Sequence, residues 1–383
     1  MAMKPAEVVV VGGGIVGSSA AYFLAKSGVD VVLIDSRGAT GSGGASQACA
    51  GGVRHQGRVP AEMPLAAYAI PFWKTLAEEL EADFQYRQDG MTIVTDEESF
   101  VAPLEERVAR ERSLGLNIRM VYGEDLRNLV PGLPSRMLAG SYCPLDGHAD
   151  PLRTVHALAS AAGRLGARIE WGCPAFSLER EKGRIVAVKT ARGDISCNSV
   201  VLSAGAWSKA LAASAQVILP FHPFPLQMMV TKRCAHALDQ VLGWMGHGIS
   251  LKQVPSGGFV IGGGWPGHGN LVTGSTALMP GSMAKSARTT VELFPSISKL
   301  PVIRAWVGIE AFSVDEMQVT GPVPGVDGLF IAAGFSGHGF AIGLGVGALI
   351  ADFFKTGSLS ELLLPFTLDR FGPDVLKGQS DAA

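Results

Sequence analysis

The first 35 residues carry the clearest hydrophobic pattern in the chain, and it reads as strand, turn, helix, strand. Residues 8–11 are four consecutive valines, a β-branched run suited to a strand buried on both faces of a parallel sheet. The run stops at Gly12, Gly13 and Gly14. Residues 15–27 then set Val16, Ala20, Phe23 and Leu24 on one helical face, and Gly28 is a stop signal. Residues 31–34 are a second apolar strand with Asp35 at its carboxyl end.

Further along, the pattern changes character. Residues 60–80 read as two helices, because Pro64 and Pro71 interrupt the helical period. Residues 84–87 and 91–95 read as a β-hairpin around Gln88, Asp89 and Gly90, the first departure from parallel order. Residues 97–114 form an amphipathic helix, 118–121 a short strand, and 123–134 a helix stopped by Pro131. A helix over 152–165 precedes a strand at 168–171 that rejoins the first sheet, and 176–190 is a hairpin turning at Lys182 and Gly183. Residues 199–203 repeat the buried-strand pattern, 223–264 alternate as antiparallel sheet, and 301–309 close it. Residues 329–333 lead into the apolar run 340–354, which is rich in glycine and reads as a buried helix rather than a membrane span.

Composition narrows the class. The chain has 383 residues, enough for two or three domains, with 47% hydrophobic and 17% charged residues and a net charge of −2. Nothing in that balance points to nucleic acid or an anionic membrane. The amino terminus has no signal-peptide pattern. Five scattered cysteines without a CxxC pair argue against a disulfide framework, a zinc site or an iron–sulfur cluster, and for a reducing cytoplasm. No metal site is expected.

The opening unit has the spacing of a dinucleotide-binding fold. Gly12 permits the tight turn, Gly14 lets backbone approach a pyrophosphate, and Gly17 lets the helix pack close to the strand. The helix amino end aims N–H groups at a phosphate. Asp35, about 20 residues past the first glycine, accepts from ribose hydroxyls and repels a 2′-phosphate, which favours an NAD-like or FAD-like ligand over NADP. Ser42 or Ser46 would cap a short helix starting near Ala45 and offer further N–H groups.

Three separated stretches, GGGIVGSSAAYFLAKSG, VVLSAGAWS and GLFIAAGFSGHGF, resemble the FAD-dependent amine and amino-acid oxidoreductases related to D-amino-acid oxidase. Within these the chain looks most like the group of glycine oxidases and sarcosine oxidase β-subunits, with its opine and proline-type dehydrogenase members; GASQACAGG, LDGHADP, LQMMVT and PFTLDRF add to the likeness. The resemblance implies an α/β fold: a Rossmann-like FAD-binding domain of the glutathione-reductase type (1–82, 148–217 and 320–383), interleaved with an antiparallel-sheet α+β substrate domain (83–147 and 218–319).

By the same resemblance Gly12, Gly14, Ile15, Val16 and Gly17 hold the pyrophosphate of FAD, and Asp35 and Ser36 the ribose. Ser42, Ala45 and Ser46 lie along the phosphate and flavin edge, and Cys173, Pro174 and Ala175 near adenine. Ala204, Gly205, Trp207 and Gly334 line the cofactor. The implied reaction is oxidation of a C–N bond by hydride transfer to flavin N5, followed by imine hydrolysis. N–H groups of Gly337, His338 and Gly339, at the amino end of the Phe340 helix, suit the negative charge that develops on the flavin, so His338 serves loop geometry more than proton transfer. Arg54 occupies the position of a carboxylate-binding arginine, with Arg58 as second choice.

Departures from the pattern carry expectations of their own. Ala341 stands where sarcosine oxidases have a second anchoring lysine, which leaves room for a larger substrate. No lysine lies between Lys252 and Lys285, which favours an acceptor other than O2; Lys252 itself reads as an exposed hairpin residue, with the oxygen-activating lysine as its alternative role. No cysteine falls in VGIEAFSVDEMQ, so the FAD is expected to be non-covalent, and Glu310 there reads as a paired structural carboxylate, with a pocket-facing group that binds a cationic part of the substrate as the alternative. Gln227, Met229, His247, Gln253 and Trp265 are candidate pocket walls. The expected partners are an amino-acid or amine substrate and electron-carrying subunits, with no nucleic acid and no membrane span. A non-catalytic FAD-binding protein of an electron-transfer complex, a peroxide-forming oxidase and an NAD-dependent dehydrogenase are the rival readings.

Overall fold

The four valines of the opening pattern form the centre of a parallel sheet. In the computed structural model, which describes residues 3–38, 44–372 and 375, the strand Ala6–Val11 pairs in parallel with Val31–Asp35 on one side and Ile195–Leu202 on the other. Leu329–Ala333 and Arg168–Trp171 extend the parallel set outward. Val319–Pro322 adds an antiparallel edge. The hairpin of Ala175–Glu181 and Arg184–Thr190 leans on Ile195–Leu202, and its turn places Lys182 and Gly183 at positive φ, 48° and 88°.

The helices Ile15–Lys26 and Gly339–Thr356 pack against this sheet and against each other. Their close approach depends on glycines four residues apart, which share one helical face. A Cβ on Gly343 would lie 3.0 Å from Ile15 carbons, and one on Gly347 only 2.2 Å from Ser19 Oγ. Gly339–Thr356 is long and apolar enough to cross a membrane by composition, but 72% of it is buried inside the molecule. Trp73, on the helix Phe72–Glu79, is fully buried beside it and donates from Nε1 to the Ala341 carbonyl at 2.9 Å.

The second sheet has the order Val302–Ser313, Phe221–Thr231, Phe259–Gly262, Ile249–Gln253, Val241–Trp244, Met91–Thr95, Ala139–Cys143, Arg119–Tyr122. It is antiparallel except where Val241–Trp244 runs parallel to Met91–Thr95. The chain enters it twice, at residues 91–143 and 221–313, so the two sheets interleave along the sequence.

One expected element is corrected. Residues 84–87 and 91–95 do not form a hairpin, because Met91–Thr95 takes Ala139–Cys143 as its antiparallel partner. Arg87 instead exchanges both backbone hydrogen bonds with His148, at 2.8 and 2.9 Å. Positive φ at Gln85 and Gly90, 56° and 90°, turns the chain between these two commitments. The short ribbon of Gly52–Val53 and Gly147–His148 is thereby fixed beside it.

The glycine contact between the two central helices predicts a steep packing cost. Gly347→Val should destabilise the protein by about 2–3 kcal/mol, the upper part of the overpacking range, read as a lower midpoint in urea unfolding with little change in slope.

Candidate functional site

The carboxyl ends of the parallel strands are crowded to the limit of backbone contact. Gly12, at φ +107°, faces the Ser203 carbonyl so closely that a Cβ would sit 2.5 Å from it, and a Cβ on Gly17 would lie 1.8 Å from the Gly12 carbonyl oxygen. Gly17 therefore packs helix against turn and lines none of the cavities described below. Asp35 ties the turn to its neighbouring strand: Oδ2 accepts from Gly13 N–H and Oδ1 from Arg37 N–H, both at 2.7 Å. Burial raises its pKa and these two N–H donors oppose the rise.

Ser46 does not cap its own helix. Ala45–Ala48 starts from Gly44 without a side-chain cap, and Ser46 Oγ instead accepts from Ile15 N–H at 3.0 Å. The reason is that Ser46 lies inside the helix, where a side chain leans back toward the amino end, and here that lean reaches the first helix. Ser42 lies outside the described residues.

Three abutting cavities run from this turn into the gap between the sheets. The first, about 540 Å³, is bounded by Gly12, Gly14, Asp35 and Ser36, by Ala45 and Ser46, by Pro174 and Ala175, and by Ala204, Gly205 and Trp207. A narrow middle cavity of about 80 Å³ adds Ile15, Val16, Gly334, Gly337, Gly339 and Phe340. The third, about 470 Å³, holds Arg54, His338 and Glu310. Gly14, Ala45 and Ser46 belong to the first two, and Ala45, Glu310, Gly337 and Phe340 to the last two.

Sequence reasoning missed part of the first cavity. Arg37 donates to the Gly274 carbonyl at 2.7 Å, and Trp207 Nε1 to the Leu271 carbonyl at 2.9 Å, so a loop far away in sequence closes that end. Only the Asn, Thr and Gly content of residues 270–274 marks it as a loop.

In the third cavity the two arginines differ in commitment. Arg58 is buried, donates from Nε and Nη2 to the Arg54 carbonyl at 2.9 and 2.7 Å, and pairs with Glu62 at 3.5 Å. Its guanidinium braces the loop. The Arg54 guanidinium makes no hydrogen bond or ion pair with a described residue and lines the cavity. Glu62, unnoticed in the sequence, accepts from His338 Nδ1 at 2.7 Å. Burial works to raise the Glu62 carboxyl, but His338 and Arg58 outweigh it and hold it low; burial likewise lowers His338. An ionised Glu62 and a neutral imidazole fix Nδ1 as the donor and leave Nε2 as an acceptor.

Three expectations fail on the second sheet. Glu310 is not a paired structural carboxylate: it faces the cavities, its bond is to Gly337 N–H, and burial pushes it up to about 7. Lys252 is not exposed. It is 3% accessible, its Nζ lies 3.3 Å from the Ala149 carbonyl, and burial lowers it to about 8. It lines a separate cavity of about 270 Å³ that shares the Ala48, Cys49 and Ala50 wall. The wall residues are also shifted. Leu226 and Met228 line the third cavity where Gln227 and Met229 were expected, the one-residue slip that turns a strand face over. Met229 is core, Gln253 ties the 235–238 loop, His247 stacks on Trp244, and the Trp265 carbonyl accepts from Gln227 N–H.

Asp35 offers a direct check on the cradle. Asp35→Ala removes an acceptor of two charge-assisted hydrogen bonds, worth about 1.5–3 kcal/mol each, and should lower flavin retention at least about tenfold, measured as the flavin-to-protein absorbance ratio after dialysis.

Comparison with known proteins places this cradle. The FAD dependent oxidoreductase family model matches residues 7–353. The beta chain of sarcosine oxidase from Rhizobium meliloti (strain 1021) is 25% identical over 374 residues, covering 95% of this chain and 88% of that protein. An opine oxidase subunit of Agrobacterium tumefaciens (strain Ach5) is 27% identical over 380 residues, covering 96% and 98%. The crystal structure of L-proline dehydrogenase from P. horikoshii superposes with a TM-score of 0.88 at 27% identity, over 96% of this chain and 98% of that one. With a family match over nearly its whole length, the chain belongs to the FAD dependent oxidoreductase family.

Proposed function

We propose that the protein oxidises the C–N bond of an N-substituted or secondary amino acid, of the sarcosine, glycine, proline or opine kind, and passes the electrons to an acceptor other than O2. The family supports FAD-dependent oxidation of amino-acid-like substrates. The observation that carries the finer reading is the uncommitted Arg54 guanidinium in an apolar cavity that abuts the dinucleotide cradle.

The residues present fit FAD. Backbone at Gly12 and Gly14, with no Cβ in the way, faces the first cavity beside the Asp35 carboxylate, and the small residues Gly334, Gly337 and Gly339 border the narrow middle one. When bound, FAD supplies a two-electron acceptor for the C–H bond beside the nitrogen. The amino end of Gly339–Thr356 directs N–H groups and a positive dipole to the same place.

Arg54 would grip a substrate carboxylate through two hydrogen bonds. Leu226, Met228, Ile249 and Phe340 exclude water and favour the neutral amine. Ala341 lines the cavity without filling it, which supports a substrate larger than sarcosine. No lysine lines this cavity among the described residues, which supports slow reaction with O2. The absence of cysteine from residues 308–318 supports non-covalent FAD, and the five unpaired cysteines support a cytoplasmic setting. Relatives named as subunits support a partner that takes the electrons.

The test is anaerobic bleaching of the flavin by sarcosine, glycine, L-proline and octopine, followed by air. One compound should bleach it, with colour returning slowly until an artificial acceptor is added. Fast return with peroxide makes it an oxidase, and no bleaching by any amine defeats the catalytic reading. Arg54→Met should keep its flavin but need about 100-fold more substrate, from the 2–5 kcal/mol of a lost buried charge pair.

A further inference from the structure

The strand Val302–Ser313 alternates its side chains between two environments. Ile309 and Ala311 sit in the core beneath the first sheet, while Gly308, Glu310 and Phe312 face the substrate-side cavity, as a period of two requires. Glu310 is thus the carboxylate that this strand delivers to the cavity. Its neighbour across the gap is the amino end of Gly339–Thr356, where Gly337 N–H donates to it. No lysine or arginine pairs with it among the described residues, and Arg54 in the same cavity makes no direct ion pair, its nearest carboxylates, Glu62, Asp146 and Glu111, acting on it only at longer range. A half-buried carboxylate and a half-buried guanidinium, neither in a direct ion pair, around one cavity complement a zwitterion, since each opposite charge would relieve a partly desolvated group.

We propose that Glu310 binds the substrate's ammonium group and takes its proton, while Arg54 holds the carboxylate. This rests on the amine-oxidation reading above. The N–H bond of the ammonium breaks and its electron pair stays on nitrogen. An O–H bond forms on Glu310, and the proton leaves to water after product release. No redox change occurs in this step. The neutral amine it creates is the form that C–N oxidation requires.

The surroundings suit a proton acceptor. Burial holds Glu310 at about 7, far closer to an ammonium than an exposed carboxylate would be, while Gly337 N–H keeps the ionised form accessible. The groups that share its cavity are Cys49, pushed up to about 12, Arg54, Arg58 at about 10, and His338, which burial lowers against the opposing pull of Glu62. Lys252, at about 8, stands behind Cys49 in the adjoining cavity. Glu310, at about 7, faces the cavity directly, whereas Asp146, at about 6, acts on it only from behind Arg54.

The experiment compares wild type with Glu310→Gln, each retaining its flavin spectrum, and uses two probes. Tetrahydro-2-furoate has proline's ring and carboxylate but no ammonium, and its binding is read from the flavin absorbance. Two carboxylates in one cavity repel, so the wild-type affinity should fall about tenfold between about pH 6 and pH 8 by proton linkage, and that of E310Q by less than about twofold. Anaerobic bleaching by the fastest amine of the panel should be at least about 100-fold slower in E310Q near neutrality. The gap should close by about pH 10, where free amine is plentiful. Glu310→Asp should recover part of the rate. An E310Q protein slowed equally at every pH, or one whose analogue binding keeps the wild-type pH dependence, overturns the role of Glu310 alone. A wild-type flavin that none of the amines bleaches overturns the amine reading and this role together.

Discussion

The whole arrangement depends on how closely three backbone segments meet at the ends of the parallel strands. Helix Ile15–Lys26 touches the turn through Gly17, the turn touches residues 203–204 through Gly12, and neither contact has room for a Cβ. Steric exclusion of one carbon atom therefore sets where the first cavity begins. Hydrogen bonds then lock the geometry, from Gly13 to Asp35 and from Ile15 to Ser46. The second of these is the more informative, because it brings the 44–58 segment against the first helix, and that segment carries Arg54 to its cavity.

The polar side of the site is assembled by a different logic. His338, Glu62, Arg58 and the Arg54 carbonyl form one connected chain of hydrogen bonds and an ion pair. Buried charges are tolerable when each is paired, and here the pairing goes to Arg58 and Glu62. What faces the cavity without a direct ion pair is the Arg54 guanidinium, the Glu310 carboxylate, which holds only the Gly337 N–H bond, and one imidazole nitrogen. The division between bracing and available groups separates two arginines that look alike in sequence, four residues apart.

Much of the first sheet was legible, because β-branched runs ending in glycine have one good explanation and their partners are parallel neighbours of the same kind. The second sheet was less so. Met91–Thr95 pairs with strands about 50 and 150 residues away, and no local pattern announces such partners. Glu62 meets His338 across 276 positions. The misreadings of Lys252, Glu310, Gln227 and Met229 share one cause. Alternation along a strand ordinarily separates core from water, yet the second face of this sheet looks onto cavities. Polar residues at those positions, Ser250, Lys252 and Glu310, border cavities.

The glycine seam between Ile15–Lys26 and Gly339–Thr356 has a mechanical consequence. Both helices point their amino ends at the cradle, one at its first cavity and one at its middle, and contact at Gly343 and Gly347 leaves no slack for either to slide. They behave as a single fixed jaw. The 44–58 segment joins the same body through the Ile15–Ser46 hydrogen bond, so its arginine is carried at a fixed distance from both amino ends.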